Sequence, residues 1–108
     1  MSEEAKKFDQ DKDAKPRMSL VPIKALWDVA RVMGHGERKY SKDNWRNGFQ
    51  WTRLTDAALR HLTAYIDGET MDPESGYSHL SHAICCLMMQ FENALDFPEL
   101  DDRRIPKK

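Results

Sequence analysis

The sequence predicts an all-α fold of three main helices, a helical bundle completed by homo-oligomerisation. Apolar residues recur at three- and four-residue spacing in residues 23–33, 54–65 and 80–91, the period of an amphipathic helix and not the alternation of a strand. Start and stop signals bracket these stretches: Pro22, Thr52 or Thr55, Asp67-Gly68, and Ser75 or Ser78, residue types that suit helix caps and first turns. The third stretch has so little polar face that three helices of this length cannot cover it, so a dimer or larger assembly is expected.

Taken in order, residues 1–17 are dense in both charges and nearly free of apolar residues, which marks a flexible N-terminal tail. Residues 18–95 form the helical domain. Pro16 and Pro22 bracket an extended connector that Leu20 and Val21 pin to the core. In the first helix Ile23, Leu26, Val29, Ala30 and Met33 make the apolar stripe, with Lys24, Asp28, Arg31 and His35 opposite. Gly34-His35-Gly36 weakens or ends it, leaving Glu37 and His35 solvated.

The link at 39–51 carries Lys39, Tyr40, Asn44, Trp45, Arg46, Phe49 and Trp51. Two readings stand. Aromatic faces beside cations suit a nucleobase and its phosphates, and the same rings also suit a lid over a small core. The second helix presents Leu54, Ala57, Ala58, His61, Leu62 and Tyr65 on one face. The third presents Leu80, Ala83, Ile84, Leu87, Met88 and Phe91, with Cys85, Cys86 and Met89 widening its apolar surface. Asp96-Phe97-Pro98 stops that helix, and 96–108 reads as a charged tail.

Bulk properties narrow the function. With 108 residues, 40% hydrophobic and 32% charged, the chain is one domain with a small core. A net charge of -1 argues against bulk affinity for nucleic acid or membrane surfaces. No apolar run reaches the roughly 18 residues of a membrane span, and the first residues do not open a signal peptide, so a cytoplasmic location is expected. Adjacent Cys85 and Cys86 cannot comfortably bridge each other, and they read as small apolar filler in a reducing compartment.

The chemistry concentrates in residues 60–83. His61 lies within the apolar stripe of the second helix, Glu69, Asp72 and Glu74 crowd the following loop, and His79 and His82 stand roughly 60° apart on the third helix. Each alone has an ordinary explanation: a satisfied core histidine, a solvated acidic loop, a capping histidine. Their conjunction points to a metal site of nitrogen and oxygen ligands or to an acid–base site. No His-Glu-x-x-His, Cys-x-x-Cys, P-loop, dinucleotide glycine fingerprint or Gly-x-Ser-x-Gly is present. Water activated by a metal is then the most economical nucleophile.

Four segments carry a resemblance: Lys15-Pro16-Arg17 with Leu20-Val21-Pro22; Gly36 with Lys39-Tyr40 and Asn44-Trp45; Asp56-Ala57 with Arg60-His61 and Ala64-Tyr65; and Asp72-x-Glu74-Ser75-Gly76-x-x-His79-x-x-His82-Ala83. On these the chain resembles a phage-associated family of dATP/dGTP diphosphohydrolases (N-terminal domain), distantly related to the all-α MazG-like nucleotide pyrophosphohydrolases. The resemblance implies hydrolysis of a purine deoxynucleoside triphosphate to monophosphate and pyrophosphate with Mg²⁺ or Mn²⁺. Within that reading Glu69, Asp72, Glu74 and His79 hold metal, and His61, Glu69, Asp72, His79 and His82 form the catalytic group. Lys15, Arg17, Lys39 and Arg60 neutralise phosphates, while Tyr40, Asn44 and Trp45 contact the base. MazG-like enzymes usually present Glu-Glu-x-x-Glu on one helix and Glu-x-x-Asp on a later one; here Glu69-x-x-Asp72 sits at a helix end and the first motif is missing from the expected helices. A binding module that captures a nucleotide unchanged and a purely structural helical bundle are the alternatives.

Overall fold

The computed structural model describes residues 15–104, so most of the expected N-terminal tail and residues 105–108 lie outside the described part. Three helices dominate: α1 (Ile23–Lys39), α2 (Trp51–Ile66) and α3 (His79–Asp96), with 3-10 turns at Met18–Leu20, Asn44–Asn47 and Pro98–Leu100. Among the described residues there is no strand, only one isolated antiparallel bridge between Met71 and Ser78. None of these helices is long and apolar enough to cross a membrane.

The third helix is the centre of the arrangement, with α2 packed along it and α1 against its other flank. Val29 and Val32 of α1 bury against Cys85 of α3, closed over by Met33, Tyr77 and Met89. Leu54 and Ala58 of α2 and Ala83 and Cys86 of α3 are buried as well. Small residues at these positions let the helices approach closely, and removal of this apolar surface from water is the main stabilising term.

Several expectations are corrected. The first helix runs through Gly34-His35-Gly36 to Lys39, where the Tyr40 N–H donates to the Gly36 carbonyl. Two interior glycines cost roughly 1 kcal/mol each, offset here by packing of Met33 below them and by Arg38 and Lys39 in the last turn, where cations complement the helix dipole. Asp28 is not on a solvated face: it accepts a short hydrogen bond from the buried Ser81 hydroxyl of α3. Glu37 is exposed as expected.

The larger correction concerns α3. Of the expected stripe, Leu80, Ile84, Leu87, Met88 and Phe91 are turned outward, with Phe91 70% exposed, and only Ala83 is buried. The inward face is instead His79, Ser81, His82, Cys85, Cys86 and Asn93. A helix that is apolar nearly all round does not reveal by periodicity which side its own chain covers. That face can be buried because His79, Ser81, His82 and Asn93 each find a hydrogen-bond partner within the chain, and no buried side-chain nitrogen or oxygen among the described residues is left without one.

The C-terminal stretch also does more than trail. Asp102 accepts from the Thr52 N–H at 2.9 Å and the Thr52 hydroxyl at 2.6 Å, so the cap of α2 comes from fifty residues away and not from Thr52 or Thr55. Trp51 Nε1–H donates to the Phe97 carbonyl at 3.0 Å, and the Arg103 guanidinium lies over the Trp51 ring. Gly48 permits this docking: its φ is +96°, and a Cβ there would meet Leu100 Cδ1 at 3.0 Å. Asn93, 2% exposed, both accepts from the Phe49 N–H and donates to the Phe49 carbonyl, tying the link before α2 to α3.

Candidate functional site

The turn after α2 places the first acid. The Gly68 N–H donates to the Tyr65 carbonyl and the Glu69 N–H to the Ala64 carbonyl, both at 3.0 Å, with Gly68 at φ +104°. This pair of bonds is the Schellman closure of a helix, and it aims Glu69 back at the start of α3. The chain then pairs Asp72 N–H with the Tyr77 carbonyl and His79 N–H with the Thr70 carbonyl. Ser78 caps α3 by accepting from the Leu80 N–H, which fixes the register that brings His79 and His82 inward.

Three imidazoles meet here. His61 Nδ1 lies 2.8 Å from His79 Nδ1, and His79 Nε2 lies 2.6 Å from Glu69 Oε1. The His61 and His82 rings stack at 4.5 Å and 10°. His82 Nε2 is 2.6 Å from Ser75 Oγ and 3.3 Å from Asp72 Oδ2, while the Ser75 hydroxyl reaches Asp72 Oδ2 at 3.2 Å. Burial pushes the His61 imidazole below its ordinary value, with His82 and His79 adding to the effect. Burial does the same to His82 against the opposing pull of Asp72. Burial pushes the Asp72 carboxyl up, but the Glu74 N–H, Ser75 and His82 outweigh it and hold it below the usual range.

Serine, histidine and aspartate side by side do not make a nucleophilic triad here. Such a triad needs the serine on one ring nitrogen and the acid on the other, whereas Ser75 and Asp72 share His82 Nε2. Ser75 also accepts from the Tyr77 N–H at 3.1 Å, so it braces the loop. The cysteines are inert as nucleophiles, since burial pushes the Cys85 thiol up to about 12 and raises Cys86 too.

Of the expected site residues, His61, His79, His82, Glu69 and Asp72 are brought together. Glu74 is not: it pairs with Lys39 at the end of α1. The set Glu69, Asp72, Glu74 and His79 therefore divides among three different partners. Among the described residues no group of three or more His, Cys, Asp or Glu side chains is arranged to hold a metal ion, so the donor set does not fit Mg²⁺ or Mn²⁺ as a cage of its own.

His61, His82 and Asp72 of this cluster, with Glu74 beside them, line a groove of about 760 Å³ formed by α1, the link before α2, α2 and α3, whereas His79 and Glu69 lie behind it. Lys39, Tyr40, Asn44, Trp45, Arg60, His61, Asp72 and His82 all line it. Lys15 and Arg17 do not; they are exposed at the start of the described residues. His35 and Arg53 are wall residues that the sequence reading missed. His35 lies 6.4 Å from His82, ring to ring, and its position three residues after buried Val32 was a usable signal once the helix continues through the glycines. Arg53 precedes Arg60 by seven residues, two turns along one face of α2.

A helical chain whose three helices hold a histidine–carboxylate floor beneath a groove with cationic and aromatic walls has the features of a site for a phosphorylated, ring-bearing ligand. Comparison with known proteins agrees with the resemblance. A family model described as dATP/dGTP diphosphohydrolase, N-terminal, matches residues 5–103, and the chain belongs to that family. A protein of Salmonella phage PMBT28 named dATP/dGTP diphosphohydrolase is 39% identical over 98 residues, which cover 91% of this chain and 32% of that protein. The chain thus spans about a third of the length of this relative. No solved structure matches it.

Proposed function

We propose that the groove binds a purine deoxynucleoside triphosphate and that the chain takes part in its hydrolysis to monophosphate and pyrophosphate. The observation that carries this reading is the make-up of the groove's lining: Tyr40, Trp45 and Phe49 with Lys42, Arg53 and Arg60, together with the imidazoles of His35, His61 and His82 and the carboxylates of Glu37, Asp43, Asp72 and Glu74. Stacked rings suit a base, guanidiniums suit phosphate oxygens, and the volume suits one ligand of this size. The family membership and the name of the phage relative support the same substrate class.

In this reading a water oxygen bonds to the α-phosphorus as the bond to the bridging oxygen opens. Pyrophosphate leaves with the electron pair, and the water proton passes to a neutral imidazole on the floor. Arg53 and Arg60 neutralise charge on the phosphates, so most of the catalysis is positioning and electrostatics. No step is assigned to a metal. The test is incubation of the purified chain with each dNTP, with and without Mn²⁺, while pyrophosphate is followed. Consumption of dGTP or dATP ahead of the pyrimidine nucleotides is expected. No turnover of any dNTP by folded protein removes the hydrolase reading.

A second reading, capture of the nucleotide without hydrolysis, is favoured by one observation: among the described residues the acids do not gather into a metal cage. Calorimetry with dGTP, followed by recovery of the ligand unchanged, separates it from the first. The outward apolar face of α3 belongs to the same proposal. Leu80, Ile84, Leu87, Phe91 and Leu95 follow one another at spacings of three and four without an intervening charge on that face, the pattern of a helix seam. A second copy of the chain is the occupant we assign to it.

A further inference from the structure

We infer that Glu69 and His79 fix the tautomer of His61 so that His61 Nε2 is the proton acceptor of the groove, with Glu69 and His79 as positioning residues. This deepens the hydrolase reading and rests on it. A carboxylate only accepts hydrogen bonds, so His79 Nε2 must carry the proton it directs at Glu69 Oε1, 2.6 Å away. A neutral imidazole protonated on Nε2 has a lone pair on Nδ1. The 2.8 Å contact between the two Nδ1 atoms then requires a proton from the other side, so His61 is protonated on Nδ1 and its Nε2 holds the lone pair.

Geometry shows where that lone pair is available. His61 lines the groove and His79 does not. Among the described residues His61 Nε2 makes no hydrogen bond, and no side-chain nitrogen without a partner is buried, so Nε2 is open to the groove's contents. His79 is 5% exposed, and its ring is held at both nitrogens, which leaves it no freedom to reverse the chain of donors. The groups facing His61 are His79, His82, Asp72 and Arg60, and none of them competes for Nε2.

The consequence is chemical. When water attacks phosphorus, its proton goes to His61 Nε2. The resulting imidazolium still donates through Nδ1 to His79, whose own Nε2–H donates to Glu69. The carboxylate stabilises the cation through the intervening ring without itself taking a proton. Paired acid, orienting group and base recur wherever a neutral imidazole has to be held in one tautomer.

The experiment is long-range ¹H–¹⁵N correlation of the imidazoles in the full chain near pH 7.5, with dGTP binding and turnover measured on the same preparation. His61 protonated on Nδ1 and His79 on Nε2 is the expected pattern. In Glu69→Gln, whose amide can donate as well as accept, His61 is expected to lose its single tautomer, with kcat down on the order of tenfold or more and KM little changed, because Glu69 touches no substrate. His61 protonated on Nε2 in the wild-type chain overturns the inference, as does an unchanged kcat in Glu69→Gln. A chain that shows the expected tautomers but turns over no dNTP overturns the hydrolase reading and leaves the orientation of His61 established.

Discussion

His61 of α2 and His79 of α3 face each other through their Nδ1 atoms at 2.8 Å, a contact possible only while at least one of the two lacks a proton there. With His82 stacked on His61 at 4.5 Å, and with burial holding both of these imidazoles below their ordinary value, the junction of the two helices favours the neutral forms of His61 and His82. That ties the packing of α2 on α3 to pH, and the floor of the groove to the same condition.

Folding stability should therefore fall in mild acid. Burial lowers the native values of His61 and His82 below the ordinary 6.5, so between the lowered values and 6.5 the unfolded chain binds more protons than the folded one. Stability rises with pH across that window, is fully present above about 6.5 and is lost as pH falls below it. Urea midpoints at pH 7.5 and 5.5 are expected to show the lower value at 5.5. In His61→Gln with His82→Gln the gap between the two midpoints should shrink.

Removal of the distant cap should weaken α2. Asp102→Ala frees the Thr52 N–H and hydroxyl and is expected to lower the melting temperature, as loss of an N-terminal cap does. Thr52→Ala in the Asp102→Ala background should add less than it does alone, since the two share one interaction. Thermal melts of the two single variants and the double variant measure this directly.

Glycines at different places should respond with opposite sign. Gly48→Ala places a Cβ 3.0 Å from Leu100 at a φ of +96° and should destabilise by about 1–3 kcal/mol. Gly36→Ala, inside α1 with nothing within 4 Å of the new Cβ, should stabilise by about 0.5–1 kcal/mol. Equilibrium unfolding in urea distinguishes the signs.

Nucleotide affinity should track the groove's cations. Arg60→Ala and Arg53→Ala each remove a guanidinium from the wall and are expected to weaken dGTP binding about tenfold, equal to about 1.4 kcal/mol. Arg31, paired with Asp28 outside the groove, serves as the control, and Arg31→Ala should leave the affinity unchanged. Titration calorimetry reads all three.

Self-association should depend on the outward face of α3. Sedimentation of the wild-type chain is expected to give a dimer or larger species, and Ile84→Glu with Phe91→Glu to give a monomer of unchanged helicity. A wild-type monomer at every concentration would assign the 40% and 70% exposed Ile84 and Phe91 some other role.

The sequence by itself determined the three helices, a serine cap at Ser75 or Ser78, the stop at Asp67-Gly68 and the crowding of His61, Glu69, Asp72, His79 and His82 into one helix–loop–helix, because caps, period and short loops act between residues close along the chain. Only the tertiary structure decided that α3 turns its histidines and Asn93 inward, that α1 continues through two glycines so that His35 joins the groove, that Glu74 goes to Lys39, and that Asp102 caps α2. Each of these compares partners many residues apart: which face of an almost wholly apolar helix is covered, and which acid finds which donor, follows from hydrogen-bond satisfaction across the fold, a quantity that local spacing does not contain.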